Sequence, residues 1–506
     1  MLPGSLQNLI FGHRFNQSLE GVSLPSNLRS LTLGDRFNQS LEGMTLPGSL
    51  DTLAFGNRFN QSLQGVTLPN SLRSLTFGQY FNQSLHKTRL PSSLQSLTFG
   101  RNFDQSLEGV CLPSSLESLT FGLDFNQTLQ GVTLPSNLQK LTFGHHFDQN
   151  LEEVSLPNSL RSLKGGSLKL RTLSLPSLRS LTSTFNHTLD LNHLPKSLQR
   201  LTFGDTFNCN LEGVTLPSTL QDLRFGYAFN RSLEEVTLPS GLRSLTLGHH
   251  FNTSLEQVEL PIGLHSLTFG ENFNQSLDGV NLPSSLRSLT FGCNFNQNLQ
   301  RAILPSSLQS LTFDQHFNQS LEGVAMPSSL ESLTFGYEFN QSLQGVTLPS
   351  NLQSLTFGHH FNQSLEGIAL PNSLQSLTFG DFFYQSLEGV TLPSDLCSLV
   401  FGRRFDECLE KVTLPSTLLT FSCGSILVSS LWSMGLASWR DWTRNEARHS
   451  LVQKTGSNIV SFQGCLSGSR NHTLLCSLLV WTICFWKSFD HDHWIWVCHG
   501  SVMVWT

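Results

Sequence analysis

Three pairs of adjacent histidines, His145-His146, His249-His250 and His359-His360, offer the imidazoles that proton transfer or a divalent metal would need. A recurring acid, at Glu20, Glu42, Glu108, Glu322, Glu366, Glu388 and Glu410, supplies carboxylates that would do general acid–base work if two of them faced each other. Near the C-terminus, Asp490, His491, Asp492, His493, Cys498 and His499 mix metal-ligand types. Whether any of these groups converge depends on the elements that carry them.

Those elements repeat. The chain has 20 prolines, from Pro3, Pro25 and Pro47 to Pro393 and Pro415, and all fall in one register. Seventeen of the nineteen intervals between them are 22 residues; the two that end at Pro176 and Pro195 are 19 each. The stretch Pro113–Leu134, PSSLESLTFGLDFNQTLQGVTL, shows the pattern. Its apolar positions are Leu116, Leu119, Phe121, Phe125, Leu129, Val132 and Leu134. Leu119-Thr120-Phe121 and Val132-Thr133-Leu134 both alternate apolar and polar, the period of a half-buried strand. Gly122 follows the first and Pro135 the second, and both suit corners better than strand interiors. The expected fold is therefore an all-β, β-rich repeat solenoid with two short strands per 22-residue coil. One coil's apolar side chains cannot offset the cost of ordering its backbone, so a coil must gain its stability from its neighbours.

On that scaffold the candidate chemistry dissolves. The histidine pairs lie several coils apart and cannot share an ion. The acids recur identically along one edge, with no cleft to single out a pair, and read as a solvated rim interrupted by Gln64, Gln130 and Gln344. Outward threonines such as Thr98, Thr120 and Thr142 would form a flat ladder of the kind that orders water, but only one is offered per strand. Asn-Gln-Ser formally matches a glycosylation acceptor, yet stacked coils would crowd glycans together. No catalytic, cofactor or metal residues are assigned.

A structural role is clearer. Phe-Asn steps mark a turn, and the asparagines Asn16, Asn38, Asn60, Asn82, Asn126, Asn208, Asn230, Asn252, Asn274, Asn296, Asn318, Asn340 and Asn362 are expected to stack as a hydrogen-bonding ladder. Asp104, Asp148 and Asp406 replace Asn in three coils and Tyr384 in one. The two residues between Gly and Phe vary freely: His13-Arg14, Gln79-Tyr80, Leu123-Asp124, Tyr337-Glu338 and Arg403-Arg404 are examples. Variable side chains on a regular scaffold are where a solenoid writes specificity.

The unit LPxSLxSLTFGxxFNQSLxGVT resembles the FNIP repeat, a 22-residue relative of the leucine-rich repeat, over roughly residues 1–421. The family's Ile-Pro after Phe-Asn is here usually Gln-Ser, with variants such as Gln127-Thr128 beside Gln363-Ser364. The resemblance implies a leucine-rich-repeat-like interaction scaffold and supplies no catalytic residues. Some such proteins add an F-box, and no such segment is found here.

Composition fits. Only 13% of residues are charged and the net charge is −6, which gives no basic excess for nucleic acid. The repeats hold no apolar run long enough to span a membrane. The start, MLPGSLQNLIFG, lacks a basic segment followed by an apolar one, so no secretory signal is expected. It also lacks a capping segment, which leaves open further repeats or another domain upstream. Cys111, Cys209, Cys293, Cys397 and Cys408 fall at non-recurring phases, which fits a reducing, cytoplasmic setting rather than a disulfide framework. Two regions result: a solenoid over 1–421 of about nineteen coils, two of them shortened between 158 and 195, and a proline-free tail over 422–506. That tail holds all eight tryptophans and reads as a cap or a spurious extension. Its apolar run Leu474–Trp486 is too short to cross a membrane. The expected function is a non-enzymatic scaffold for an unidentified protein partner, with no cofactor and no small-molecule substrate. The alternative is a structural or surface- and ice-binding β-rod, and an enzyme would need a convergent pocket in the tail or in residues 158–195.

Overall fold

The structure is a computed structural model. It describes residues 3–166, 168, 175–183, 191, 194–407, 409 and 411–422, together with the backbone of 452–455, 458–463, 495–498 and 501–504. The chain forms two compact units, Met1–Gly464 and Cys465–Thr506. In the second unit, β23 (Ile495–Cys498) and β24 (Ser501–Val504) pair antiparallel.

The first unit is a parallel β-solenoid with no α-helix among the described residues. Each coil gives one short strand to a single sheet, from β1 (Asn8–Ile10) and β2 (Ser30–Thr32) through to β20 (Thr420–Ser422). The register is residue on residue: Leu311 pairs with Leu333, and Leu333 with Leu355. Beyond β20 the sheet continues to β22 (Asn458–Gln463), paired parallel with β20 and antiparallel with β21 (Val452–Thr455).

The coil that starts at Pro327 shows why the sequence folds this way. Proline fixes the first corner, and Leu330 N–H closes it on Pro327 O at 3.1 Å. Glu331 and Ser332 N–H both donate to Gln309 O of the preceding coil, at 2.8 and 2.9 Å, and so start β16 (Ser332–Thr334). Leu333 points inward and is fully buried, while Ser332 and Thr334 are half-buried on the outer face. After the strand, Phe335 N–H donates onward to Thr356 O at 2.9 Å.

The glycine that follows is required by close approach. A Cβ on Gly358 would lie 1.5 Å from Gly336 O, so only a residue without a side chain lets the coils close up here. Phe335 and Phe339 then stack at 3.8 Å between centroids, and Phe339 also stacks at 6.0 Å on both Phe317 and Phe361. This double phenylalanine column, with the Leu rows beside it, is the core. Each ring pair adds about 0.5–1.5 kcal/mol beyond simple burial.

The second expected strand is absent. Val346-Thr347-Leu348, like Val132-Thr133-Leu134, belongs to no strand. Val346 N–H closes a turn on Leu343 O of its own coil instead, at 3.0 Å, and Val132 does the same on Leu129. The coils fan apart with distance from the sheet, which explains this. Paired strands lie about 4.8 Å apart. The phenylalanines next to the strand repeat at 5.5 Å (Phe77 to Phe99) and those farther in at 6.0 Å (Phe81 to Phe103). Among the described residues the Val-Thr-Leu segments carry no coil-to-coil ladder.

The two shortened coils leave the sheet intact. β8 (Ser162–Lys164), β9 (Ser180–Ser183) and β10 (Arg200–Phe203) pair without a gap, Leu163 on Leu181 on Leu201.

Candidate functional site

Recurring backbone bonds hold the two-residue turns between Gly and Phe, joined at one turn by Arg403 N–H on Asp381 Oδ1 at 3.1 Å. The second residue of each pair donates its N–H to the carbonyl of the first residue one coil earlier: Glu338 to Gln315 at 2.8 Å, His360 to Tyr337 at 2.9 Å, Phe382 to His359 at 2.9 Å and Arg404 to Asp381 at 3.1 Å. Because these backbone bonds recur whatever the side chain, side chains here vary without cost to the fold. They form two columns along one edge of the solenoid.

Within those columns the histidines are not isolated. His146 meets Asp124 at 3.3 Å, His316 meets Glu338 at 3.0 Å, and His359 meets Asp381 at 3.3 Å. His13 pairs with Asp35, and His249 with Glu271. Each partner is one coil away. Two clusters repeat the same order of residue types and lie five coils, 110 residues, apart (227 to 337). In the first, Tyr227 stacks on His249 at 4.1 Å, with Glu271 beyond it; in the second, Tyr337 stacks on His359 at 4.4 Å, with Asp381 beyond it. In both, the buried histidine Nδ1 has no hydrogen-bond partner among the described residues. The second cluster continues into Phe382, which lies 5.1 Å from His360 and carries the Arg404 guanidinium 3.9 Å above its ring. All four tyrosines of the chain sit at this edge, Tyr80, Tyr227, Tyr337 and Tyr384, each between 45% and 50% exposed.

The phenylalanine that ends each turn hands the chain to the asparagine column. Asn38, Asn60 and Asn82 N–H each donate to the Oδ1 of the asparagine one coil earlier, Asn16, Asn38 and Asn60, at 2.8–2.9 Å. The same bond runs through Asn208, Asn230, Asn252, Asn274, Asn296, Asn318, Asn340 and Asn362. Asp104 serves Asn126 N–H equally, at 2.9 Å, because only an acceptor is required. Tyr384 still donates its own N–H to Asn362 Oδ1 at 3.0 Å, but has no side-chain carbonyl to pass to the next coil.

Beside this break lies a recess of about 390 Å³, lined by Asn318, Glu338, Asn340, His360, Asn362, Phe382 and Tyr384. Sequence reasoning located the variable turns but missed both the clusters and the recess. The available signal was phase: tyrosine, histidine and acid recur at the same turn position at 22-residue steps.

The remaining candidates fall apart in space. Glu108, Glu322, Glu366 and Glu388 lie on an exposed rim, each with its N–H on the hydroxyl of a serine two residues earlier. Where acids do meet, Glu235 is raised above the ordinary carboxyl value by its hydrogen bond to Glu212, by the charge of Glu212, by burial and by Glu234. The outer face of the sheet is not a uniform threonine surface. Lys140, Lys164, Arg200, Asp222 and Arg224 interrupt it, and Asp222 bonds both arginines at 3.0 and 3.1 Å. Among the described residues no three His, Cys, Asp or Glu side chains form a metal site. Of the tail candidates, Cys498 ends β23; Asp490, His491, Asp492, His493, His499 and the run Leu474–Trp486 lie outside the described residues. No described helix is long and apolar enough to cross a membrane.

Comparison with known proteins agrees with this architecture. Twelve stretches match the FNIP repeat, together covering residues 1–166 and 185–424, so the interruption falls on the shortened coils. No curated protein matches the chain. Among solved structures, CroV588, described as a novel circular leucine-rich-repeat protein, is 40% identical, with a TM-score of 0.64; the match covers 83% of this chain and 69% of that one. An internalin, InlF, from Listeria monocytogenes is 15% identical over 71% of this chain and 88% of its own, with a TM-score of 0.31. InlJ of the same organism is 12% identical over 63% and 76%, with a TM-score of 0.35, and at these scores neither internalin adds to the argument. By its repeats and by its likeness to CroV588, the chain belongs to the FNIP repeat family and has a leucine-rich-repeat-like solenoid fold.

Proposed function

We propose that this protein is a non-enzymatic scaffold that binds a protein partner through the edge formed by its Gly-to-Phe turns. One observation carries the reading. These turns are fixed by recurring backbone bonds, and their side chains change from coil to coil while the core, the sheet and the asparagine column repeat. The stretch from His316 to Arg404 departs furthest from its neighbours, with aromatic, imidazole and charged groups in contact across adjacent coils. Such a patch, rich in aromatic and arginine side chains, has the composition of an interface centre. The surface-ordering alternative needs a flat outer face, and the charged side chains on the sheet stand against it.

The test replaces turn residues of the full chain with the Asn-Arg pair found at Asn57-Arg58: Tyr337→Asn, Glu338→Arg, His359→Asn and His360→Arg together. A saturable partner captured by the unaltered protein should be lost by this variant, at unchanged thermal stability. A partner held equally well by both would remove the turn edge from the proposal.

A further inference from the structure

We infer that the recess beside Tyr384 is a binding site for a neutral oligosaccharide lying along the coils. This goes beyond the scaffold reading and does not depend on it.

The asparagine column supplies the first half of the argument. Asn318 Oδ1 accepts from Asn340 N–H at 2.9 Å and from Gln341 Nε2 at 3.1 Å. Asn340 Oδ1 accepts from Asn362 N–H at 2.9 Å and from Gln363 Nε2 at 3.1 Å, and Asn362 Oδ1 accepts from Tyr384 N–H at 3.0 Å. With each oxygen committed, each carboxamide is locked in one orientation and its Nδ2 has no partner among the described residues. The recess thus has a row of fixed amide donors, one per coil.

Tyr384 supplies the second half. It stands where every other described coil with this turn has Asn or Asp, and its presence costs the ladder one acceptor. A residue that breaks a local rule, exposes an aromatic ring and borders the recess marks function rather than stability. Phe382 adds a second ring to the same wall, held by the Arg404 guanidinium 3.9 Å away. Glu338 is the one carboxylate in the lining.

These groups select among ligands. Glu338, 3.0 Å from His316, is the recess's one carboxylate acceptor, so an anionic ligand gains nothing from it. A peptide strand presents an N–H at every residue, for which the donor row offers no acceptor beyond Glu338. A pyranose suits both the row and the single carboxylate. Its hydroxyls accept from the Asn Nδ2 groups and donate to Glu338, and its C–H face lies against the ring of Tyr384. Because the donors repeat along the stack, a linear oligomer uses more of them than a single sugar, so affinity rises with chain length.

Saturation-transfer NMR and calorimetry on the purified full chain, with cellohexaose, maltohexaose, chitohexaose and mannohexaose as probes, test this. At least one hexaose should bind, and more tightly than its monosaccharide. Tyr384→Asn restores the usual ladder residue, so it should keep or raise thermal stability while weakening that binding about tenfold. Glu338→Gln, at the recess wall, should also weaken it. Absence of binding by all four hexaoses, or binding unchanged in Tyr384→Asn, would overturn the assignment.

Discussion

The regular coils and the two shortened ones between Pro157 and Pro195 share a sheet and a leucine core but not the phenylalanine column. On either side, phenylalanines stack from coil to coil: Phe121, Phe125, Phe143 and Phe147 before the junction, and Phe203, Phe207, Phe225 and Phe229 after it. At the junction, Ser183 occupies the strand-end phenylalanine position and is fully buried. Its hydroxyl donates to Gly166 O at 2.7 Å and accepts from Leu168 N–H at 3.2 Å. Leu168, itself fully buried, packs against Gly165 and takes up the space a ring holds elsewhere. The ladder β8–β9–β10 runs through unchanged. The contrast teaches that a proline corner and a short strand suffice to propagate the sheet even where the phenylalanine column is interrupted.

If that separation holds, the largest effects belong to the aromatic column. Phe103→Ala removes a fully buried ring stacked at 6.0 Å on both Phe81 and Phe125 and should cost about 3–5 kcal/mol. Long repeat arrays do not unfold in one step, so hydrogen exchange is the right measurement. Protection should fall around β5 (Ser96–Thr98) and stay unchanged at β16. A uniform loss along the whole chain would show that the core is not organised coil by coil.

Polar substitutions should come next and should differ between the regions. Ser183→Ala strands the buried Leu168 N–H and Gly166 O and should cost about 1–3 kcal/mol. Asn126→Ala, in a regular coil, removes the acceptor for Asp148 N–H and Gln149 Nε2 at a half-buried site, and about 1 kcal/mol is expected. Asn274→Asp, between the uncharged Asn252 and Asn296, should be close to neutral, since Asp104 already makes the same two bonds at 2.9 and 3.1 Å. If Ser183→Ala were the milder change on urea titration, the junction would not depend on its buried hydroxyl.

A smaller gain is expected where a regular coil departs from its own pattern. Lys87 holds φ at 66°, where most neighbouring coils place glycine. Left-handed backbone costs a residue with a Cβ about 1–2 kcal/mol, so Lys87→Gly should stabilise by about 1 kcal/mol after the added chain entropy of glycine. A fall in the thermal midpoint would mean that the lysine side chain has a role of its own.

These residues also show what the sequence made legible. The proline register located every coil. The first strand of each coil followed from alternation, though it runs over Ser118–Thr120 and not the expected Leu119–Phe121, and the glycine followed from the need for a corner. Val346-Thr347-Leu348 was misleading because period-two alternation is the same in a paired strand and in a segment that carries no coil-to-coil ladder. The variable turns were identifiable as a place, but their contents were not. Tyr337, His359 and Asp381 become one cluster only when residues 22 apart are superimposed, and the recess at Tyr384 arises from a single exception within an otherwise uniform column.

The smallest effect expected is chemical rather than energetic, and it concerns a one-residue irregularity inside the regular stack. Asp314 replaces the glycine that closes other coils, and next to it the Phe313–Phe335 spacing is 6.0 Å, against 5.4 Å for Phe291–Phe313. Cys293, one coil earlier, bonds Asp314 Oδ2 at 3.1 Å. Burial, that bond and the charges of Asp314 and Glu271 push its thiol from 9.0 up to about 11. The folded chain therefore holds this proton more tightly than the unfolded one. Any stability from the pair is complete below pH 9 and is lost as the pH climbs through 11. Iodoacetamide attacks the thiolate, so at pH 9 the exposed Cys111 should label well ahead of Cys293, and Asp314→Asn should narrow that gap. Equal labelling of the two in the unaltered protein, read by peptide mass spectrometry, would show that Asp314 leaves Cys293 untouched and that this irregularity stays confined to its own coil.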